Sequence, residues 1–105
     1  MEPAARFEAL LAQGKDSALL RFSLGMQYLE AEPARAAGHL RRAVEQDAGY
    51  SAAWKLLGKA LEAMGDAAGA VQAYENGIAA ADAKGDKQAS REMGVFLKRL
   101  RKAGS

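Results

Sequence analysis

Two stretches of this chain repeat one another at the spacing of one helical hairpin, and this periodicity constrains the fold more than any single residue does. Leu24-Gly25-x-x-Tyr28 returns as Leu57-Gly58-x-x-Leu61, 33 residues later. Ala36, Leu40 and Ala43 return as Ala70, Tyr74 and Gly77, 34 residues later. The first unit is thus one residue shorter in its central turn. A unit of this length holds two helices and a turn. It cannot bury its apolar face alone, and it gains a continuous core by stacking on a copy of itself.

The remaining pattern agrees with helices throughout. Gly14-Lys15-Asp16-Ser17, Glu32-Pro33, Asp47-Ala48-Gly49, Gly65-Asp66 and Gly85-Asp86 read as turns. Between them the apolar residues recur three and four apart, which predicts an all-α fold of about six helices. The first covers about Pro3–Gln13, with Phe7, Leu10 and Leu11 on one side. The second runs from about Ser17, a good N-cap, to Ala31. The third starts near Pro33, a residue suited to a first helical turn. The others cover about Ser51–Met64, Asp66–Ala83 and Asp86–Lys102. No segment alternates with period two, so no strand is expected. Alanine is abundant while Val, Ile and Thr are scarce, a composition that favours helix over strand. The short connections imply antiparallel neighbours.

The spacing resembles the tetratricopeptide repeat, whose fingerprint is W-x2-L-G-x2-Y, then A-x3-F-x2-A, then a proline. Trp54, Leu57, Gly58, Leu61, Ala70, Tyr74 and Gly77 fill these slots in the second unit. Leu24, Gly25, Tyr28, Ala36, Leu40 and Ala43 fill them in the first, with Arg21 in the aromatic opening slot. Ala48 and Asp82 stand where the family has proline. The resemblance covers about residues 18–84 and implies antiparallel hairpins stacked as a short right-handed superhelix. On this reading residues 1–105 are one domain: a covering helix in 1–16, repeats in 17–49 and 50–84, and a capping helix in 85–105. The capping helix would pack through Met93, Phe96, Leu97 and Leu100. Six glycines (25, 38, 58, 69, 77 and 94) fall inside predicted helices. Each costs about 1 kcal/mol against alanine, which is sensible where neighbouring helices approach closely.

The family's first helices line a concave groove that commonly receives a peptide. By position the groove residues here are Phe22, Met26 and Leu29 in the first unit and Lys55, Lys59 and Glu62 in the second. Arg91, Lys98 and Arg99 would join them from the last helix. The groove would be apolar at one end and basic at the other. The expected partner is a protein or peptide carrying a hydrophobic anchor and an acidic group. Packing of Phe22 and Met26 under the first helix is the alternative for those residues. Some members clamp a C-terminal carboxylate with Lys and Asn. Lys55 matches the Lys, but Lys59 and Met26 stand where Asn is needed, so that clamp is absent.

Charge supplies a second function class. Residues 84–105 hold seven Lys/Arg against Asp86 and Glu92, net +5, while residues 1–83 are net −3. The basic end could neutralise phosphates, but Phe96 lies on the packing stripe, so base stacking has no free aromatic and nucleic acid is the weaker reading. Self-association through the apolar end is a third reading, with monomer or weak homodimer as the expected state.

Catalysis has little to build on. His39 is the only histidine, with Arg35 and Ala43 four residues either side, so no helical ligand pair exists. No G-x-S-x-G, P-loop or dinucleotide fingerprint occurs. The chain has no cysteine, which removes thiolate and disulfide chemistry. The reading is therefore a non-enzymatic adaptor with no cofactor and no small-molecule substrate. The N-terminus lacks the basic start and cleavage site of a signal peptide, and no run approaches the roughly 20 apolar residues of a membrane span. A cytoplasmic protein without membrane association is expected.

Overall fold

The computed structural model describes residues 2–104. They form six helices and no strand: α1 Pro3–Ala12, α2 Ala18–Tyr28, α3 Pro33–Gln46, α4 Ser51–Ala63, α5 Ala67–Ala83 and α6 Lys87–Ala103. The boundaries follow local chemistry. Ser17, Asp66 and Asp86 each accept a hydrogen bond from a backbone N–H three residues on, at 2.9–3.1 Å, and so start α2, α5 and α6. Pro33 opens α3.

Three helices end on the same device. Gly14, Gly65 and Gly85 have φ of 82°, 80° and 74°, a region that side chains disfavour. After α4, Gly65 N–H donates to the Glu62 carbonyl and Asp66 N–H to that of Leu61. The same pair of bonds follows α1 and α5, so each chain reversal satisfies the last carbonyls of its helix. The turn from α2 to α3 has no such glycine. There Glu32 N–H returns directly to the Tyr28 carbonyl, and the matched positions Tyr28 and Ala36 are one residue closer in sequence than Leu61 and Ala70.

Consecutive helices pack as antiparallel neighbours, and the overall extents are 44 × 29 × 19 Å. The shortest dimension equals two helix diameters, so the molecule is two helices thick. The helices of one layer touch: α4 contacts both α2 and α6. Helices α1, α3 and α5 form the other layer and make no direct contacts with one another among the described residues. Crowding on one side and splaying on the other makes the α2–α4–α6 side the inner face.

One apolar core lies between the layers. It includes Leu24, Leu40, Leu57, Leu61, Tyr74 and Met93, all at most 2% exposed. The glycines that make this possible are three of the six expected. A side chain on Gly25 would overlap Leu40, one on Gly58 the Tyr74 ring, and one on Gly77 both Met93 and Trp54. Gly38 and Gly94 have nothing nearby, and Gly69 faces only the capping carboxylate of Asp66. Close helix approach therefore explains half of them.

Candidate functional site

The inner face is built from matching positions on α2, α4 and α6. Leu19 and Met26, seven residues apart, share one side of α2 and are 66% and 50% exposed. Phe22 lies between them in sequence but is half-buried. Its ring stacks on Tyr50 at 5.0 Å, just before α4 begins. Leu29, at the end of α2, is partly buried against the core. The exposed apolar surface on α2 is thus Leu19 and Met26. Leu19 was legible in principle, one heptad before Met26, although the repeat fingerprint does not point to it.

The basic residues separate into different roles. Lys55 Nζ lies 2.7 Å from Glu92 Oε1 across to α6, and this ammonium holds the Glu92 carboxyl below its ordinary range. Lys59 Nζ sits 4.3 Å from the centre of the Phe96 ring. The Arg99 guanidinium lies 5.3 Å from the same ring. Two cations from different helices thus meet at one aromatic, and neither forms an ion pair among the described residues. Phe96 in turn lies 5.6 Å from Tyr74, tilted by 48°.

Glu62 forms no ion pair with either cation among the described residues. Its carboxylate accepts the Tyr74 hydroxyl at 2.5 Å. Burial, reinforced by that bond, raises the Tyr74 phenol well above its usual range. Glu62 is thereby tied to the core. Arg91 and Lys98 are exposed and lie about a quarter-turn round α6 from Arg99, away from α4. The structure therefore brings Lys55, Lys59, Glu92, Phe96 and Arg99 together, and leaves Arg91 and Lys98 on the outer end with Val95, which is 62% exposed.

Two clefts flank α4. One, about 250 Å³, lies between α4 and α6 and is lined by Lys55, Gln88, Ala89 and Glu92. The other, about 260 Å³, opens between α3 and α5 over Trp54, Leu57 and Leu61, with Arg41, Gln72 and Asn76 at its rim.

A polar network closes the opposite end of the molecule. Arg21 grips both oxygens of Asp16 at 2.8 Å. Its Nη1 lies 3.1 Å from His39 Nδ1, which must accept because a guanidinium only donates. Asp16 also accepts from Gln46 at 2.9 Å, and its carboxyl is held far below the ordinary range, first by the Arg21 bond. Burial lowers the His39 pKa against the opposing pull of Glu8. Glu8 of α1 accepts from both Tyr28 and Arg35 at 2.8 Å. His39 is therefore an element of the structure, stacked on Tyr28 at 5.7 Å.

No family model matches the chain. A TPR repeat-containing protein of Pseudomonas aeruginosa is 62% identical over 97 residues, which span 91% of this chain and 92% of the relative. The chain belongs to the tetratricopeptide-repeat family. A solution structure of a Bordetella parapertussis protein is similar too, with a TM-score of 0.83 and 50% identity over 98% of this chain and 90% of that one. The tetratricopeptide fold accounts for the inner face described above, since the first helix of each hairpin lies in the crowded layer. Arg21 in the opening aromatic slot and Leu61 in the tyrosine slot are departures from the family fingerprint, whereas Tyr74 keeps an aromatic in the phenylalanine slot. Among the described residues no helix is long and apolar enough to cross a membrane.

Proposed function

We propose that this tetratricopeptide protein is a non-catalytic adaptor, one domain over residues 1–105, whose α2–α4–α6 face receives a segment of a partner protein. The single observation that carries this reading is the exposure of Leu19 and Met26 on the inner face, at 66% and 50%. Apolar side chains left open together on a small protein mark an interface. The partner segment carries an apolar anchor for α2 and an acidic group for the basic end. The reading is supported by how the polar groups are spent. Glu62, Glu92 and His39 are each engaged by a neighbour, so none stands ready as an acid or base. A cytoplasmic setting is part of this proposal.

A peptide-array screen of the wild type and of Leu19→Asp/Met26→Asp tests it. Apolar-acidic peptides should bind the first and not the second. Equal binding by both proteins would remove α2 from the site. Leu19 and Met26 also favour a second reading, pairing of two copies through α2. A mass that doubles with concentration in light scattering, and stays single in the double variant, would support it.

A further inference from the structure

We infer that the acidic group of the partner docks on Lys59 and Arg99 beside Phe96, and that the partner is an extended segment carrying its apolar anchor and a carboxylate side chain about four residues apart. This rests on the inner-face reading and adds to it a chemical class, a register and a choice among the lysines. The choice follows from charge. Lys55 is bonded to Glu92 at 2.7 Å and would have to leave that carboxylate to bind an anion, whereas Lys59 feels Glu92 only through space. Arg101 is likewise paired with Glu75. Lys59 and Arg99 converge from α4 and α6 on one ring, 4.3 and 5.3 Å from its centre, with no carboxylate bridging them. The nearby carboxylate, Glu62, is held by the Tyr74 hydroxyl instead.

Two like charges gathered at one aromatic are held by the negative face of the ring, which leaves their outward N–H groups unpaired. An anion placed between them gains both charges at once. A carboxylate fits this arrangement, because the guanidinium can give it two parallel hydrogen bonds while the ammonium gives a third.

The register follows from helix packing. Helices in contact lie about 8–10 Å apart, and Lys59 on α4 meets Arg99 from α6, so the pair lies about one and a half spacings, roughly 12–15 Å, from α2. An extended chain advances roughly 3.3 Å per residue and crosses that distance in about four residues. An apolar side chain over Leu19 and Met26 would then place a carboxylate of the same segment at Lys59 and Arg99.

The test uses the full chain and fluorescent, end-blocked peptides in anisotropy titrations. Each peptide carries Phe and an Asp-Glu pair joined directly or through a Gly/Ser spacer of about three residues, in both directions, with an Asn-Gln version of each. The acidic peptide with the spacer should bind at least tenfold tighter than its amide version and than the directly joined peptide. Lys59→Gln/Arg99→Gln should reduce it to the amide level, whereas Arg41→Gln, at the other cleft, should leave the acid-to-amide ratio unchanged. Acidic and amide peptides binding the wild type equally, with both lost in Met26→Asp, would overturn the anion site and leave the inner-face reading standing. Binding of no peptide at either spacing would overturn both. A single-stranded oligonucleotide that displaces the labelled acidic peptide at lower concentration than the same peptide unlabelled would also overturn it, by assigning the cations to phosphate.

Discussion

The two hairpins solve one packing problem with different residues. In the first, α2 and α3 meet where Gly25 admits Leu40, and the aromatic Tyr28 sits on α2. In the second, α4 and α5 meet where Gly58 admits Tyr74, and α4 carries Leu61 at the matching place. The aromatic has changed helix, while the glycine has kept its position. What the fold needs is therefore a gap opposite a bulky side chain, together with roughly constant volume, and not a particular residue. The ends differ more. Trp54 fills its slot with a ring and donates from Nε1 to the Ala48 carbonyl at 2.8 Å. Arg21, in the same slot, fills it with an ion pair to Asp16 and a contact to His39. One hairpin is closed by apolar area and the other by charge.

The largest expected break in this comparison is at the aromatics. Tyr74 is fully buried, so Tyr74→Ala should cost about 3–5 kcal/mol in urea unfolding. Tyr28, at the edge and 9% exposed, should lose about 2 kcal/mol in the same experiment. Equal losses would show that the two hairpins share the load evenly.

Glycine substitutions sharpen the comparison next. Gly58→Ala drives a methyl into a rigid ring and should destabilise by about 1–3 kcal/mol. Gly25→Ala should cost less, because Leu40 can turn aside. Gly38→Ala meets nothing and should stabilise by up to about 1 kcal/mol. Thermal melts of the three variants should rank in that order, with a change of sign at Gly38.

Acid should separate the hairpins. The folded-state pKa of Asp16 is depressed, first by Arg21, so its contribution is present above the unfolded value of about 3.9 and is lost as pH falls below it. Melts between pH 7 and pH 3 should show Asp16→Asn losing about 1 kcal/mol of the wild type's acid sensitivity. Hydrogen exchange at the low end should open α1–α3 before α4–α6. The smallest effect concerns His39, whose folded pKa lies below its unfolded value of about 6.5 because of burial. Neutral His39 favours the fold, so stability should fall slightly as pH drops below about 6.5. Facing it are Arg21, Tyr28, Glu8, Arg35 and Asp16. His39→Gln should flatten that part of the curve.

Much of the fold was legible because it rests on local rules. Ser17 as an N-cap, Pro33 at a helix start, and glycines after α1, α4 and α5 each act within a few residues of themselves. The paired spacing of Leu24-Gly25 and Leu57-Gly58 carried the rest. Roles on the candidate face are harder to read from sequence. Lys55 and Lys59 are four apart on one helix, and nothing in that spacing separates a lysine paired with Glu92 from one resting on Phe96. Phe96 belongs to the apolar stripe of α6, yet its ring also forms the floor beneath two cations. Arg91, Lys98 and Arg99 share the polar face of the last helix in the sequence, and the first two lie about a quarter-turn round it from the third.

The sequence by itself determined that this chain is a set of antiparallel helices in a two-unit array, because periodicity, caps and turns are properties of neighbouring residues. Only the tertiary structure decided which surface side chains are free. That depends on partners 37 residues away for Lys55 and Glu92, and 12 for Glu62 and Tyr74. A charge or an apolar side chain is available to a partner only when its neighbours across the helix layer have not already claimed it, and those neighbours are set by packing.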